Sequence, residues 1–397
     1  MKKLLVLAAG VLQVPIIKKG KEMGCYVVAV DGDPNACGFK YADKAICTDI
    51  LSEDELLRIA IDERIDGVIH PCSEVSMMVM GRINDELNLA GVTHEQAIKA
   101  TNKHLMRIAF EKAGAPSPRS FITESCEDAW RMFCDEFDTD AILKPSRNSG
   151  SRGITKIERR ITETDFHNYY AKALVESRDH SVLLEQYIDG PEFSVEIIVW
   201  DNIVNVLAVT DKKTTGAPHF VELGHSQPSC FPDDTIRVVK EAAILGVKAL
   251  GVNACACHAE IKVQDGQAYL MEVGARLGGD FISTILTKES TGIDMVEAAI
   301  NCSLGIRPDL TPRFATKGVC IRYFTPEQGV LRNIKNQNLL TDSDVISSEI
   351  YYQIGDSIPA LMNSVNRAGH LIVTAKNVEF AISRAEDIIS QIIFETR

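Results

Sequence analysis

Two glutamates, Glu260 and Glu272, lie on the two arms of a predicted β-hairpin in the segment "CHAEIKVQDGQAYLMEVGARLGG" (257–279). An odd loop centred on Gly266 would place the two carboxylates opposite each other on one face, whereas a two-residue turn at Asp265 and Gly266 would place them on opposite faces. Two facing carboxylates repel each other and are costly to bury unless a cation lies between them. Oxygen-preferring Mg²⁺ or Mn²⁺ suits such a pair, so the hairpin predicts a divalent metal site.

The alternative is a pair of exposed glutamates on a solvent-facing surface. Their immediate neighbours are apolar, which disfavours it: Ala259, Ile261, Met271 and Val273. Arg276 follows directly and is a bidentate donor suited to a phosphate or a carboxylate in the same site.

A positive charge before a flexible loop forms the second candidate element, "LKPSRNSGSRGITKI" (143–157). Lys144 precedes the glycines, whereas the lysine of a P-loop follows them at a helix start, so this is not a Walker sequence. A glycine-containing loop between antiparallel strands can still cover phosphates with its backbone N–H groups, with Lys144 supplying charge. A mobile surface hairpin is the alternative.

A third element, "LLEQYIDGPEFSVE" (183–196), places Glu185 at the end of an apolar strand and Glu192 seven residues later. A short extended segment of this kind can pair its backbone with an adenine edge. Ile188 could then lie on the ring and Glu192 could bind the ribose hydroxyls. The alternative for Glu185 is a strand-end charge in solvent.

Strand–helix alternation over residues 1–100 predicts an α/β domain with a parallel sheet, and the GxGxxG dinucleotide fingerprint is missing after its first strand. Ser52 with Glu55 forms a predicted capping box, and Asn102 a predicted helix cap. From the linker "APSPRS" onward the pattern becomes α+β, with a lid subdomain at about 116–184 inside a domain of 101–310. A strand-rich domain follows over 311–397.

Composition restricts the partners. The chain has 397 residues, a net charge of −13 and eleven cysteines without a framework spacing. The acidic balance argues against a nucleic acid partner, and no apolar run suits a membrane span. The scattered cysteines are typical of reduced thiols, so we expect a cytoplasmic protein. "CACH" (255–258) does not predict zinc, because on a strand Cys255 and Cys257 share one face and His258 the other.

In this order, the lysines, the glycine loop, the E-x-x-I segment and the E…E-x-x-x-R hairpin resemble the ATP-grasp superfamily of carboxylate–amine and carboxylate–thiol ligases. The resemblance covers roughly residues 1–310. It implies nucleotide contacts along the chain and magnesium ligands on the hairpin. The implied nucleotide-binding residues are Lys103, Lys144, Ser146, Ser149, Gly150, Gly153, Glu185, Tyr187, Ile188 and Glu192. The implied metal ligands are Glu260 and Glu272.

The resemblance also implies an activity, in which ATP phosphorylates a carboxylate substrate to an acyl phosphate that an amine attacks. Arg276 and Lys144 would act on the transferred phosphoryl group, since phosphoryl transfer depends on positioning and on charge stabilisation. Many members carry an asparagine two residues after the second glutamate, where this chain has Gly274. One metal ligand is therefore missing, which leaves the second-metal geometry open.

The substrate is less defined. Ligands of open α/β sheets lie beyond the carboxyl ends of the strands, which favours Ser73 and Glu74. The loop "PHFVELGHSQPS" (218–229) adds Glu222 and His225, and Arg276 completes the substrate set. We expect small-molecule carboxylate and amine substrates, of the amino-acid or the phosphoribosylamine and glycine type. A homodimer is compatible with the sequence.

Two other classes stay open. A Rossmann-type NAD-dependent dehydrogenase would explain the first hundred residues but neither the hairpin glutamates nor the lysine–proline loop. A non-catalytic ATP-binding regulator would explain Gly274 as the mark of a site that has lost its activity.

Overall fold

The computed structural model describes residues 1–72, 74–147 and 153–397. Its N-terminal part is a four-stranded parallel sheet in the order β3-β2-β1-β4, with helices packed against it. The elements are β1 (Lys3–Leu7), α1 (Val14–Glu22), β2 (Tyr26–Asp31), β3 (Lys44–Cys47), α2 (Glu53–Glu63), β4 (Gly67–Ile69), α3 (Met77–Leu87), α4 (His94–Thr101) and α5 (Lys103–Lys112). The sheet strands β1 and β2 read as continuous apolar runs because both faces of a parallel sheet are covered.

Helix caps in this part follow the sequence at one position and depart from it at another. Asn102 accepts a hydrogen bond from the Leu105 N–H at 3.0 Å, so the predicted cap of α5 is confirmed. Ser52 precedes α2 but makes no side-chain cap hydrogen bond, so the predicted capping box is wrong. A capping box forms instead between Thr93 and Gln96 at the start of α4. Three acidic residues in the first turn of α2 provide favourable charge there without it.

The next part is a four-stranded antiparallel sheet in the order β5-β8-β6-β7 with two helices over it. Its elements are β5 (Ser120–Thr123), α6 (Cys126–Glu136), β6 (Ala141–Pro145), β7 (Thr155–Ile157), α7 (Glu163–Glu176) and β8 (Val182–Gln186). The aromatic rings of Phe133, Phe137 and Phe166 close a separate small core. This sheet corresponds to the predicted lid subdomain.

An eight-stranded antiparallel sheet in the order β13-β12-β9-β10-β11-β14-β18-β16 forms the rest of the frame. The elements up to the strand-rich C-terminus are β9 (Glu192–Trp200), β10 (Ile203–Thr214), β11 (Glu222–Gln227), α8 (Asp233–Leu250), β12 (Cys255–Gln264), β13 (Gln267–Gly274), a π-helix (Ile282–Leu286), α9 (Thr287–Thr291) and α10 (Met295–Ser303). The antiparallel pairing predicted for the segment at β9 is confirmed, with β10 on one side and β12 on the other.

The remaining elements are β14 (Gly318–Phe324), β15 (Gly329–Lys335), β16 (Val345–Ile350), β17 (Ser357–Ile358), β18 (Gly369–Ala375), α11 (Val378–Gln391) and β19 (Ile393–Thr396). Strand β14 pairs with β11 over four residue pairs, so the large sheet continues from the middle of the chain into its C-terminal part. The predicted boundary near residue 310 therefore falls in a connection between two strands of one sheet.

The predicted class, an α/β sheet followed by α+β subdomains and a strand-rich C-terminus, is confirmed. The three domain boundaries stay predictions. Across the described ranges, no helix combines the length and apolar character needed to cross a bilayer. All eleven cysteines are free thiols.

At Gly318, the first residue of β14, the backbone lies directly against the backbone at the start of α11. A Cβ there would lie 2.0 Å from the backbone carbon of Asn377, the residue that caps α11. We expect Gly318→Ala to lower the free energy of unfolding by about 2–3 kcal/mol, because backbone must shift to make room. Urea denaturation measures this.

Gly32→Ala is the matched control, since a Cβ at Gly32 would meet its nearest atom at an ordinary 3.9 Å. Equal unfolding midpoints for the two variants would contradict the close approach at Gly318.

Candidate active site

The hairpin of β12 and β13 places its two glutamates opposite each other, in a way the sequence did not reveal. The turn is the two-residue one, with positive φ at both Asp265 and Gly266, as a type I′ turn requires. A β-bulge then inserts Met271, and the register changes from Ile261↔Leu270 to Glu260↔Glu272. Without the extra residue, Glu272 would lie on the opposite face of the hairpin from Glu260; the bulge places both carboxylates on the same face. The expected odd loop is wrong, but the expected pairing of the carboxylates is what the structure has.

Each of these two carboxylates has its own lysine. Lys103 Nζ, at the start of α5, lies 3.1 Å from the Glu272 carboxylate. Burial works against the charged form of Lys103, but Glu272 and Glu74 outweigh it and raise the pKa of this lysine. Lys212 of β10 lies 3.2 Å from Glu260 and holds the pKa of that carboxyl well below its usual range.

Lys212 also faces two further carboxylates. It lies directly across the β9–β10 ladder from Glu192, with the charged atoms 2.6 Å apart, and Glu222 is 3.9 Å away. The side chain is almost fully buried. Burial alone would lower the pKa of Lys212, but the surrounding carboxylates raise it well above its usual value. Lys212 therefore remains a cation at the centre of an acidic surface.

Glu74, which follows strand β4 of the N-terminal sheet, forms an ion pair with Arg276. The Arg276 guanidinium donates to the Glu74 carboxylate at 3.1 Å. Burial and the neighbouring Glu272 raise the pKa of Glu74 to about 7. Of the predicted substrate residues, Glu74, Glu222 and Arg276 thus line one pocket with the predicted metal ligands.

A third buried ion cluster lies at the base of the lid. Glu185 is fully buried, accepts hydrogen bonds from Arg107 at 2.8 and 3.3 Å, and pairs with Lys144. Arg107 also donates at 2.8 Å to the carbonyl of Met271, which gives the bulged residue a hydrogen-bond partner. Burial and the neighbouring arginine lower the pKa of Lys144. Glu185 is therefore a buried ion-pair partner that holds Lys144 in place. The alternative interpretation, a strand-end charge in solvent, is wrong.

These groups surround one cavity of about 200 Å³ between the lid and the large sheet. It is lined by Glu74, Lys103, Ile142, Lys144, Ile154, Glu185, Gln186, Tyr187, Ile188, Glu192, Lys212, Thr214, Phe220, Glu222, Glu260, Lys262, Met271, Glu272 and Arg276. The predicted adenine-side segment is part of this wall, where the Lys262 ammonium donates to the Ile188 carbonyl at 3.1 Å. Both Lys156 and Lys262 lie over the Tyr187 ring.

The remaining predicted residues lie elsewhere. Ser146 is buried and hydrogen-bonds Asp179, and Gly153 has a positive φ of 73° beside Pro145. His225 is buried and shares a hydrogen bond of 3.2 Å with Asp280, and it is not among the residues that line the cavity. Ser73, Ser149 and Gly150 lie outside the described residues, as does most of the predicted lid loop.

Sequence reasoning missed Arg107, Lys212 and His258. The sequence places His258 on the strand face opposite Cys255 and Cys257, and this is the face of Glu260, which lies two residues further along the same strand. Its Nδ1 is 2.5 Å from the buried Glu196 carboxylate, and the Ser283 hydroxyl donates to the other oxygen of Glu196 at 2.5 Å. A polar residue alternating with Glu260 on β12 was the available signal.

The two hairpin carboxylates fit a divalent cation. They face each other across adjacent strands in one cavity, and each is compensated by a buried lysine. Among the residues the structure describes, no cluster of three or more metal-ligating side chains occurs. The protein would therefore supply two carboxylates, and other oxygen ligands would come from a bound phosphate group or water.

Comparison with known proteins agrees with this architecture. Residues 137–285 match the model of the ATP-grasp domain. The crystal structure of L-amino acid ligase from Bacillus licheniformis superposes with a TM-score of 0.84 at 19% identity, covering 100% of this chain and 99% of that one. Phosphoribosylglycinamide synthetase from Anaerococcus prevotii gives a TM-score of 0.80 at 24% identity with complete coverage of both. The chain contains an ATP-grasp domain over residues 137–285, and its fold is that of these two ligase structures.

The C-terminal part of the chain matches a narrower family. Residues 322–397 match the model of L-amino acid ligase C-terminal domain 2. Alanine–anticapsin ligase from Bacillus subtilis is 29% identical over 269 residues, which are 62% of this chain and 56% of the relative. The chain thus spans about half the length of the curated relatives it matches first.

The Glu196–His258 pair makes stability depend on pH. Burial opposes the charged ring, but Glu196 outweighs it and raises the pKa of His258 from 6.5 to about 9. This stabilisation is complete below about pH 6.5 and is lost as pH rises through about 9. We expect the wild-type free energy of unfolding to fall over this range by on the order of 3 kcal/mol more than that of Glu196→Gln.

Urea denaturation at pH 6, 7.5 and 9.5 measures the difference. The same pH dependence in the wild type and in Glu196→Gln would contradict the ion pair.

Proposed function

We propose that this protein is an ATP- and magnesium-dependent, ADP-forming ligase that joins a carboxylate to an amine. The carboxylate is activated as an acyl phosphate, and the amine displaces phosphate. The observation that carries the proposal is the cavity in which Glu260 and Glu272 face each other while Lys103, Lys144 and Arg276 line the same space. Carboxylates for a metal beside cations for phosphates are what phosphoryl transfer needs.

The residues divide this work by position. Glu260 and Glu272 would hold Mg²⁺ or Mn²⁺, which would neutralise charge on the phosphates when bound. Lys103 and Lys144 would bind phosphate oxygens, exchanging their present partners Glu272 and Glu185 for the nucleotide. Tyr187, Ile188 and Glu192 line the same cavity and would hold the adenosine. Ser146, Ser149, Gly150 and Gly153 stay predicted phosphate contacts.

The substrate carboxylate fits the Arg276 end of the cavity. The Arg276 side chain is largely buried, and its present partner is the Glu74 carboxylate at 3.1 Å. A substrate carboxylate can replace that partner with the same geometry. An amino acid carries an ammonium group as well as a carboxylate. With its carboxylate on Arg276, its ammonium group would face Glu74 and Glu222.

Amino acids are therefore the substrates we favour, with a dipeptide as the product. The match of the C-terminal part to an L-amino acid ligase domain and the similarity to alanine–anticapsin ligase support this choice over phosphoribosylamine and glycine. Free thiols at all eleven cysteines support a cytoplasmic location. A homodimer stays a prediction.

ADP release tests the proposal. We expect ADP to form when the protein is mixed with ATP, Mg²⁺ and a pool of amino acids, and not when the pool is left out. A separate mixture with phosphoribosylamine and glycine tests the other substrate type. Nucleotide binding without ADP formation in every mixture would instead indicate a regulator.

Glu272→Gln tests the metal assignment, because it keeps the side chain's shape and removes its charge. We expect ADP formation to fall at least about 10³-fold, since charge stabilisation of this kind is worth several kcal/mol. Circular dichroism checks that the variant is folded.

Glu241→Gln is the matched control, because Glu241 is an exposed partner of Arg237 on α8, outside the cavity. Normal turnover in Glu272→Gln would refute the role of the hairpin carboxylate.

A further inference from the structure

A largely buried arginine of the C-terminal part, Arg367, reaches the chain segment that follows Arg276. Arg367 donates to both oxygens of Asp280, at 2.8 and 2.9 Å. Its Nε donates to the Ser364 carbonyl at 2.7 Å, and the guanidinium lies 3.6 Å from the centroid of the Tyr323 ring. Each of the three guanidinium nitrogens thus donates a hydrogen bond, and two of them bind one carboxylate in bidentate geometry.

The residue it clamps lies on strained backbone. Asp280 and Phe281 both have positive φ, at 51° and 62°, although neither is a glycine. The π-helix Ile282–Leu286 begins directly afterwards. Consecutive residues in the left-handed region persist only where the surroundings hold them, and π-helical turns often occur at functional sites. The chain therefore makes an unfavourable turn four residues after Arg276.

The C-terminal domain holds the second strained residue as well. The His370 ring of β18 packs against the Phe281 ring, with centroids 4.4 Å apart and the ring planes tilted by 34°. Burial and the nearby Arg367 lower the pKa of His370 to about 4, so the ring is neutral at ordinary pH. Two side chains of one domain thus support two consecutive strained residues of another.

The same C-terminal segment contacts a wall of the cavity. The Ser364 hydroxyl donates to the Glu222 carboxylate at 2.5 Å, and Arg367 reaches the Glu222 carbonyl at 3.5 Å. Asp280 in turn is within 3.2 Å of the His225 ring, whose other nitrogen has no hydrogen-bond partner among the described residues. The segment 364–367 therefore joins the strand that carries Glu222 to the turn that follows Arg276.

We propose that Arg367 is a positioning residue that fixes the substrate end of the cavity by clamping the Asp280 turn to the β11 segment. Glu222 and Arg276, one on each clamped segment, line the cavity, so loss of the clamp misplaces both. The adenosine side is built from β8 and β9 and has no contact with Arg367 among those described. The substrate part of this inference rests on the ligase activity proposed above.

Two measurements on Arg367→Met test it. We expect hydrogen–deuterium exchange to speed up at least tenfold in peptides covering 220–229 and 276–287. We expect the KM for the amino-acid substrates to rise at least tenfold while the KM for ATP changes less than twofold. Arg367→Lys keeps the charge but loses the bidentate geometry, so its values should fall between those of wild type and Arg367→Met.

Arg384→Met is the matched control. Arg384 also binds several carboxylates, Asp342, Asp344 and Asp387, but all of them belong to the C-terminal domain. Ser364→Ala removes one hydroxyl and serves if Arg367→Met does not fold; it should raise the same KM and speed exchange at 220–229.

Unchanged exchange in both peptides of Arg367→Met, or the same change in Arg384→Met, would overturn the positioning role. An equal rise in both KM values would overturn its restriction to the substrate end. If wild type forms no ADP, the proposed activity fails, and the exchange measurement still decides whether Arg367 positions these segments.

Discussion

The balance of buried charge in one cavity is the constraint on which the rest of the structure depends. Six carboxylates and five cations line this space, and Arg107 adds a sixth cation directly behind it. Unpaired, each buried charge would cost several kcal/mol, so every carboxylate here needs a cation nearby. A lysine that pairs with a protein carboxylate can instead bind an oxygen of a polyanion such as a polyphosphate. The carboxylate that it leaves can then bind a divalent cation that arrives with the polyanion, so neither buried charge is left unpaired.

Most of the charged groups of the cavity are positioned by the eight-stranded sheet, which contains strands from both the middle and the C-terminal part of the chain. Strand β11 pairs with β14 of the C-terminal part, so the acidic surface around Lys212 and the contacts of Arg367 are attached to one continuous sheet. The lid sheet is attached through the Glu185 anchor, which binds Lys144 on one side and Arg107 on the other. The C-terminal part therefore supports one wall of the cavity, through the contact of Ser364 with Glu222.

Much of this arrangement could be predicted from local signals. Parallel and antiparallel strands were readable from apolar runs and alternation, and the cap at Asn102 from residue type. The hairpin carboxylates were recognised as a pair because charge among apolar neighbours is expensive. Arg107, Lys212 and Arg367 escaped, because each meets its partners across long sequence separations: 78 residues for Arg107 with Glu185 and 87 for Arg367 with Asp280.

The sequence by itself determined the class of fold, the order of the candidate groups along the chain and the kind of ligand they suit, since these follow from residue type and local periodicity. Only the tertiary structure decided which face each group occupies and which partner neutralises it. A single bulged residue, Met271, shows why: it reverses the face of Glu272, and it is stabilised by a guanidinium 164 residues earlier in the chain. Pairing register and long-range charge contacts depend on packing, which no local pattern specifies.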